Sequence, residues 1–230
     1  MNKAGAQRNV SATFMSLWYA TKRWLRRARY GIDRAGEVKM PARLKPNKRK
    51  ILESILFLIE EAARRGTYAT QYELVKSLFL ADISHLEEHG RPITFDNYVA
   101  MKFGPVPSES YDMLKPEYKP SPLLSDVWPL WDRQPSPQDG ANAFKYISPK
   151  RPANRRSISQ TDVAALTDAL NKVKSLGFGA LRDLTHKHRA YLEAWRDDGD
   201  RAAYDMQYKL LLPADDEERE EEIVHASKYA

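Results

Sequence analysis

Apolar positions recur at helical spacing in three long stretches of the chain. In residues 48–65, Ile51, Leu52, Ile55, Leu56 and Ile59 form one stripe, and Gly66 follows as a C-terminal stop. Thr70 and Glu73 have capping-box spacing and predict a second helix through His89, with Leu74, Val75, Leu78, Phe79, Ala81 and Leu86 on its buried face. Ser159 and Asp162 repeat that signal. Val163, Leu166, Leu170 and Val173 then continue at helical spacing until Gly177. A further helix is expected from about Gly179 towards Trp195, with a break near His186, and a last one over residues 200–212, stopped by Pro213.

Between the second and third helices the pattern changes. Gly90 and Pro92 end the helix, and residues 93–103 lean towards β structure. Gly104-Pro105-Val106-Pro107 follows, stiffened by two prolines, before a short helix over residues 108–114. This rigid connection carries Tyr98, Phe103 and Tyr111, which suit either a packing hub or a recognition surface. Residues 115–152 hold eight of the fourteen prolines and read as an extended loop pinned by Trp128 and Trp131. Phe144 to Ile147 reads as a short strand that pairs with the 93–103 run.

Two segments resemble a known family. Gly90-Arg91-Pro92-Ile93, Tyr98-Val99-Ala100 and Gly104-Pro105-Val106 resemble the first signature of the Panacea domain, the SocA-like antitoxin domain. Leu181-Arg182-Asp183-Leu184-Thr185-His186 and Trp195 resemble its second. In the family a Pro precedes that Trp, whereas here Tyr191-Leu192-Glu193-Ala194 leads into it. The resemblance extends over about residues 50–212. It implies the antitoxin of a toxin–antitoxin pair, which binds its cognate toxin protein directly or delivers it to a protease complex as a proteolytic adaptor. It implies no catalysis, no cofactor and no small-molecule substrate. The candidate partner-binding residues are Tyr98, Phe103, Gly104, Pro105, Val106, Tyr111, His186 and Trp195.

Charge sharpens the organisation. The net +6 is unevenly placed: residues 1–50 carry 14 Lys and Arg against Asp33 and Glu37, while the rest is net −6. The domain expectation is therefore a basic extension over residues 1–47, a Panacea-like domain over 48–212 and an acidic, solvated tail over 213–230. Residues 12–30 fit a basic amphipathic helix suited to nucleic-acid phosphate or anionic membrane, or else a solvated extension upstream of a start at Met40. The chain has no Cys, which removes disulfides and thiolate chemistry and suits the cytoplasm.

Other motifs have bland and sharp readings side by side. His85-Leu86-Glu87-Glu88-His89 matches H-x-x-E-H, yet no convincing third metal ligand accompanies it. Arg151, Arg155 and Arg156 suit phosphate contact or a solvated loop. The expected fold class is mainly α (α+β), with five or six helices and a small β element. A nucleic-acid-binding regulator acting through the extension is the alternative function, and a metal-dependent hydrolase a distant third.

Overall fold

The computed structural model describes residues 42–230, apart from residues 126, 141, 142, 199, 214 and 215. The amphipathic stretch of residues 12–30 and Met40 lie outside the described residues. Six α-helices appear among them: α1 (Lys48–Arg64), α2 (Gln71–His89), α3 (Ser108–Met113), α4 (Gln160–His186), α5 (Arg189–Ala194) and α6 (Glu217–Ser227). The strands are β1 (Ala69–Thr70), β2 (Tyr98–Met101), β3 (Gly104–Pro107), β4 (Asp132–Pro135), β5 (Phe144–Ile147) and β6 (Ala203–Asp205). The fold is mainly helical with a small antiparallel β component.

The helix boundaries follow local chemistry. Thr70 Oγ1 accepts from the Glu73 amide at 3.2 Å while Glu73 Oε2 accepts from the Thr70 amide at 2.8 Å, closing the capping box of α2. The same reciprocal pair joins Ser159 and Asp162 at the start of α4. Gly90 ends α2 in the left-handed region at φ 68°, and a Cβ there would sit 1.8 Å from the Arg219 guanidinium. Gly177 interrupts α4 with φ 68° and ψ 171°, so the helix is kinked there and continues to His186. The break expected near His186 falls at Lys187 and His188, and the His188 side chain caps α5.

α2 is the wall shared by two apolar clusters. On one side Leu74, Val75, Leu78 and Ala81 pack with α1, the first half of α4, Trp131 and Tyr146. On the other, Phe79 and Leu86 pack with Tyr98, Tyr191, Met206, Tyr208 and Ile223. Trp131 is buried and Trp128 packs against the first cluster, so both tryptophans fix the proline-rich loop as expected.

Three expectations are overturned by tertiary pairing. β5 has the expected bounds but pairs with β1 and β4, whereas β2 pairs with β3 and β6. Residues 200–212 form β6 and a short 3-10 turn, Tyr208–Leu211, in place of a helix. The acidic run expected to be a solvated tail contains α6, which docks through buried Ile223 and Glu220. Arg219 donates from there to the Gly90 carbonyl at 2.8 Å. Glu218, Glu221 and Glu222 remain on its exposed side.

Candidate functional site

The segment after α2 is held from below by two buried carboxylates. Asp82 accepts from the Ile93 and Thr94 amides at 2.8 and 3.1 Å, from the Tyr98 hydroxyl at 2.6 Å, and from the Thr94 hydroxyl. Asp96 accepts from the Glu109 and Ser110 amides at 3.0 and 2.8 Å and from the Ser110 hydroxyl at 2.7 Å, tying this loop to the first turn of α3. Burial pushes both carboxyls up, Asp96 to about 6, against the opposing pull of these hydrogen bonds. The network fixes the path of the chain into β2, even with Phe95 at a positive φ of 53°.

β2 and β3 form a hairpin whose tip is Lys102-Phe103. Phe103 is 49% exposed and meets Phe178 edge-on, with ring centroids 5.6 Å apart. Phe178 is 50% exposed and reaches this position because α4 kinks at Gly177. It also lies against Tyr72 at 4.7 Å. Beneath the tip, Lys76 is fully buried and donates to the Pro105 carbonyl at 2.7 Å. A Cβ on Gly104 would lie 2.7 Å from both Lys76 Nζ and Thr185 Oγ1 and 3.3 Å from the His186 ring, so backbone, lysine, threonine and histidine converge there. Gly104 also holds φ 102°.

The electrostatics of this cluster are unusual. Burial without a carboxylate partner pulls the Lys76 ammonium down to about 7. His186 is also lowered, by burial and then by the charges of Lys76 and Arg182. Burial raises the Tyr72 hydroxyl to about 12, against the opposing charge of Arg182. Tyr72 Oη and His186 Nε2 are buried atoms with no hydrogen-bond partner among the described residues.

The sequence-derived candidates separate into groups. Tyr98 is core, 3% exposed, with its hydroxyl committed to Asp82. Gly104, Pro105 and Val106 are buried within β3, and Phe103 alone of this run is strongly exposed. Tyr111 is half-buried against the α1 side of the fold, away from the Tyr98 cluster. His186 stacks on Tyr191 at 4.4 Å, Tyr191 on Trp195 at 6.1 Å, and Trp195 meets Tyr204 edge-on at 5.8 Å. The Tyr191 hydroxyl donates to the Met101 carbonyl at 3.0 Å, joining this aromatic row to β2. Sequence reasoning missed Tyr72, Lys76, Phe178 and Thr185. Lys76 carries a visible signal, being a cation inside the apolar run from Leu74 to Ala81.

The other constellations are engaged structurally. His85 Nδ1 lies 2.8 Å from the Arg91 carbonyl, and Nε2 lies 3.1 Å from Thr161 Oγ1 and 3.3 Å from Asp162 Oδ1. Among the described residues no group of three or more His, Cys, Asp or Glu side chains is placed to hold a metal ion. Arg151 makes a two-pronged contact with Glu53 at 2.7 and 2.9 Å, and Arg155 covers the Phe57 ring beside Glu60, which spends two of the three arginines considered for phosphate. Among the described residues no helix is long and apolar enough to cross a membrane.

The signature hairpin, the Leu-x-x-Leu-Thr-His end of α4 and the aromatic row are thus parts of one mainly helical assembly around α2. The family described as Antitoxin SocA-like, Panacea domain matches residues 74–191, just over half of the chain, and the chain belongs to it. No curated protein and no solved structure matches the chain.

Proposed function

We propose that the chain is the antitoxin of a toxin–antitoxin pair and neutralises its toxin by direct protein–protein binding. Family membership over residues 74–191 carries the reading. The Phe103–Phe178 pair supports it, because two half-exposed aromatic rings on a rigid hairpin and helix make low-entropy anchors for a partner. Co-expression with the toxic protein encoded beside it should relieve growth arrest, and the two should co-purify. Direct neutralisation leaves the toxin's half-life unchanged, whereas a shortened half-life that depends on a protease complex assigns the chain an adaptor role. No rescue of any neighbouring toxic gene would overturn the reading.

One observation favours a second role for the extension. Residues 1–50 are net +12 while the remainder is net −6, so salt-sensitive contact with nucleic acid or anionic membrane belongs to the extension rather than to residues 51–230. A chain beginning at Met40 should lose such binding and keep toxin neutralisation.

A further inference from the structure

The hairpin tip and the α4 kink make a face with two complementary halves. Its apolar half is Phe103 and Phe178, with Leu176 37% exposed in the same turn as Phe178. Its polar half lies directly beneath: the buried ammonium of Lys76, whose one hydrogen bond goes to Pro105, and the unpartnered Tyr72 Oη and His186 Nε2. Buried polar atoms are rarely left without partners, and here two occur beside a buried cation that lacks a counter-ion. Exposed cations border the face. Lys102 Nζ lies 5.8 Å from the Phe103 ring centre, and Arg182 acts on both Tyr72 and His186. The carboxylate felt by those two groups, Asp183, is already held by Arg182 at 2.7 Å.

We infer that this face receives an acidic segment of the partner protein, with an apolar side chain seated on Phe103 and Phe178 and a carboxylate bound among Tyr72, Lys76 and His186. The inference rests on the antitoxin reading for the identity of the partner. A carboxylate has the right capacity: its two oxygens accept from an ammonium, a phenol and an imidazole N–H together. It also supplies the negative charge that Lys76 lacks. Tyr72 and His186 are only partly buried as whole residues, so their rings form the solvent side of the polar half, and a carboxylate reaches Nζ by a change of rotamer there. A nucleic-acid phosphate fits less well. The apolar rim formed by Phe103, Phe178 and Leu176 offers a phosphodiester nothing.

The test titrates the full-length ¹⁵N-labelled chain with the synthetic peptide acetyl-Asp-Glu-Phe-Glu-Asp-amide. Control titrations use the same peptide with Asn and Gln for its acids, the peptide with Ala for Phe, and an oligothymidine. The acidic peptide should shift the resonances of Phe103, Gly104, Phe178 and His186, and each peptide control should bind about tenfold more weakly or less. The double variant Tyr72→Phe, His186→Phe keeps an aromatic ring at each position and removes the unpartnered polar atoms, together with His186 Nδ1. It should stay folded and lose the preference for the acidic peptide over its neutral counterpart. Equal binding of the acidic and neutral peptides by the unaltered chain, shifts confined to another surface, or oligothymidine binding at these residues as tightly as the acidic peptide would each overturn the inference. Toxin rescue separates the two claims. Full rescue by Phe103→Ser, Phe178→Ser removes this face as the toxin site and leaves the antitoxin reading intact. Peptide binding as expected with no toxin rescued removes the antitoxin reading and leaves the acidic-segment site.

Discussion

Lys76 Nζ lies 2.7 Å from the carbonyl oxygen of Pro105, and no carboxylate among the described residues pairs with it. One buried cation thus fastens the middle of α2 to the strand that carries the Phe103 tip.

That contact has a pH signature. The Lys76 ammonium falls to about 7 in the fold from its ordinary 10.5, so between these values the unfolded chain binds the extra proton. Stability therefore rises with pH from about 7 to about 10.5, by up to about 5 kcal/mol, and is level below that window. Urea unfolding of the native chain and of Lys76→Met, compared from pH 6 to 9.5, should show a difference that grows in favour of the native chain above pH 7. A constant difference would show that Lys76 stays charged in the fold.

Gly104 admits no side chain. Its φ of 102° and the 2.7 Å approach of Lys76 Nζ and Thr185 Oγ1 to a Cβ leave nowhere for a methyl group. Gly104→Ala should cost about 1–3 kcal/mol and lower the melting temperature. Gly177→Ala meets open space and should pay only for its φ of 68°, so the two variants separate crowding from backbone strain.

Tyr98 acts through the core. Tyr98→Ala should cost about 3–5 kcal/mol and weaken partner binding only through lost folding. Tyr98→Phe removes the 2.6 Å hydrogen bond to Asp82 and should cost about 1–3 kcal/mol. Chemical denaturation reads both. An unchanged midpoint for Tyr98→Ala would contradict its placement.

His85 serves packing and capping. Its two nitrogens meet Arg91, Thr161 and Asp162, and Asp162 is also bound by Lys50 at 2.8 Å and Arg91 at 3.1 Å. A chelator should leave the melting temperature unchanged, whereas His85→Ala should lower it, as expected when a buried acceptor loses a partner. Loss of stability on chelation that is restored by zinc would reinstate a metal at this site.

What the sequence made legible is what neighbouring residues decide. Thr70 with Glu73, Ser159 with Asp162, and Gly90 mark their helix ends through contacts within a few residues, and these ends fall where the spacing predicts, while Gly177, expected to close its helix, kinks it. Strand partners are decided at long range, so β5 could be bounded but not paired. The 200–212 segment misleads for a physical reason. Tyr204, Tyr208 and Leu211 fit one helix face, but Met206 is buried as well, and burial alternates through 204, 206 and 208 because residues 203–206 run extended against β2. The candidate face was half visible: Phe103 stood out beside the prolines, while Lys76, Tyr72 and Phe178 meet only once α2 and α4 are packed.

The third strand of the hairpin sheet, β6, lies outside the residues that define the family, as does Leu44, whose amide and carbonyl both bond Asn97. A fragment cut to residues 74–191 would leave the outer edge of β2 open, with unsatisfied donors and acceptors beside uncovered Tyr98 and Tyr191. Such an edge invites strand addition between copies. Expressing the shared segment alone would therefore yield an aggregating fragment. The flanks, which lie outside residues 74–191, have to travel with it.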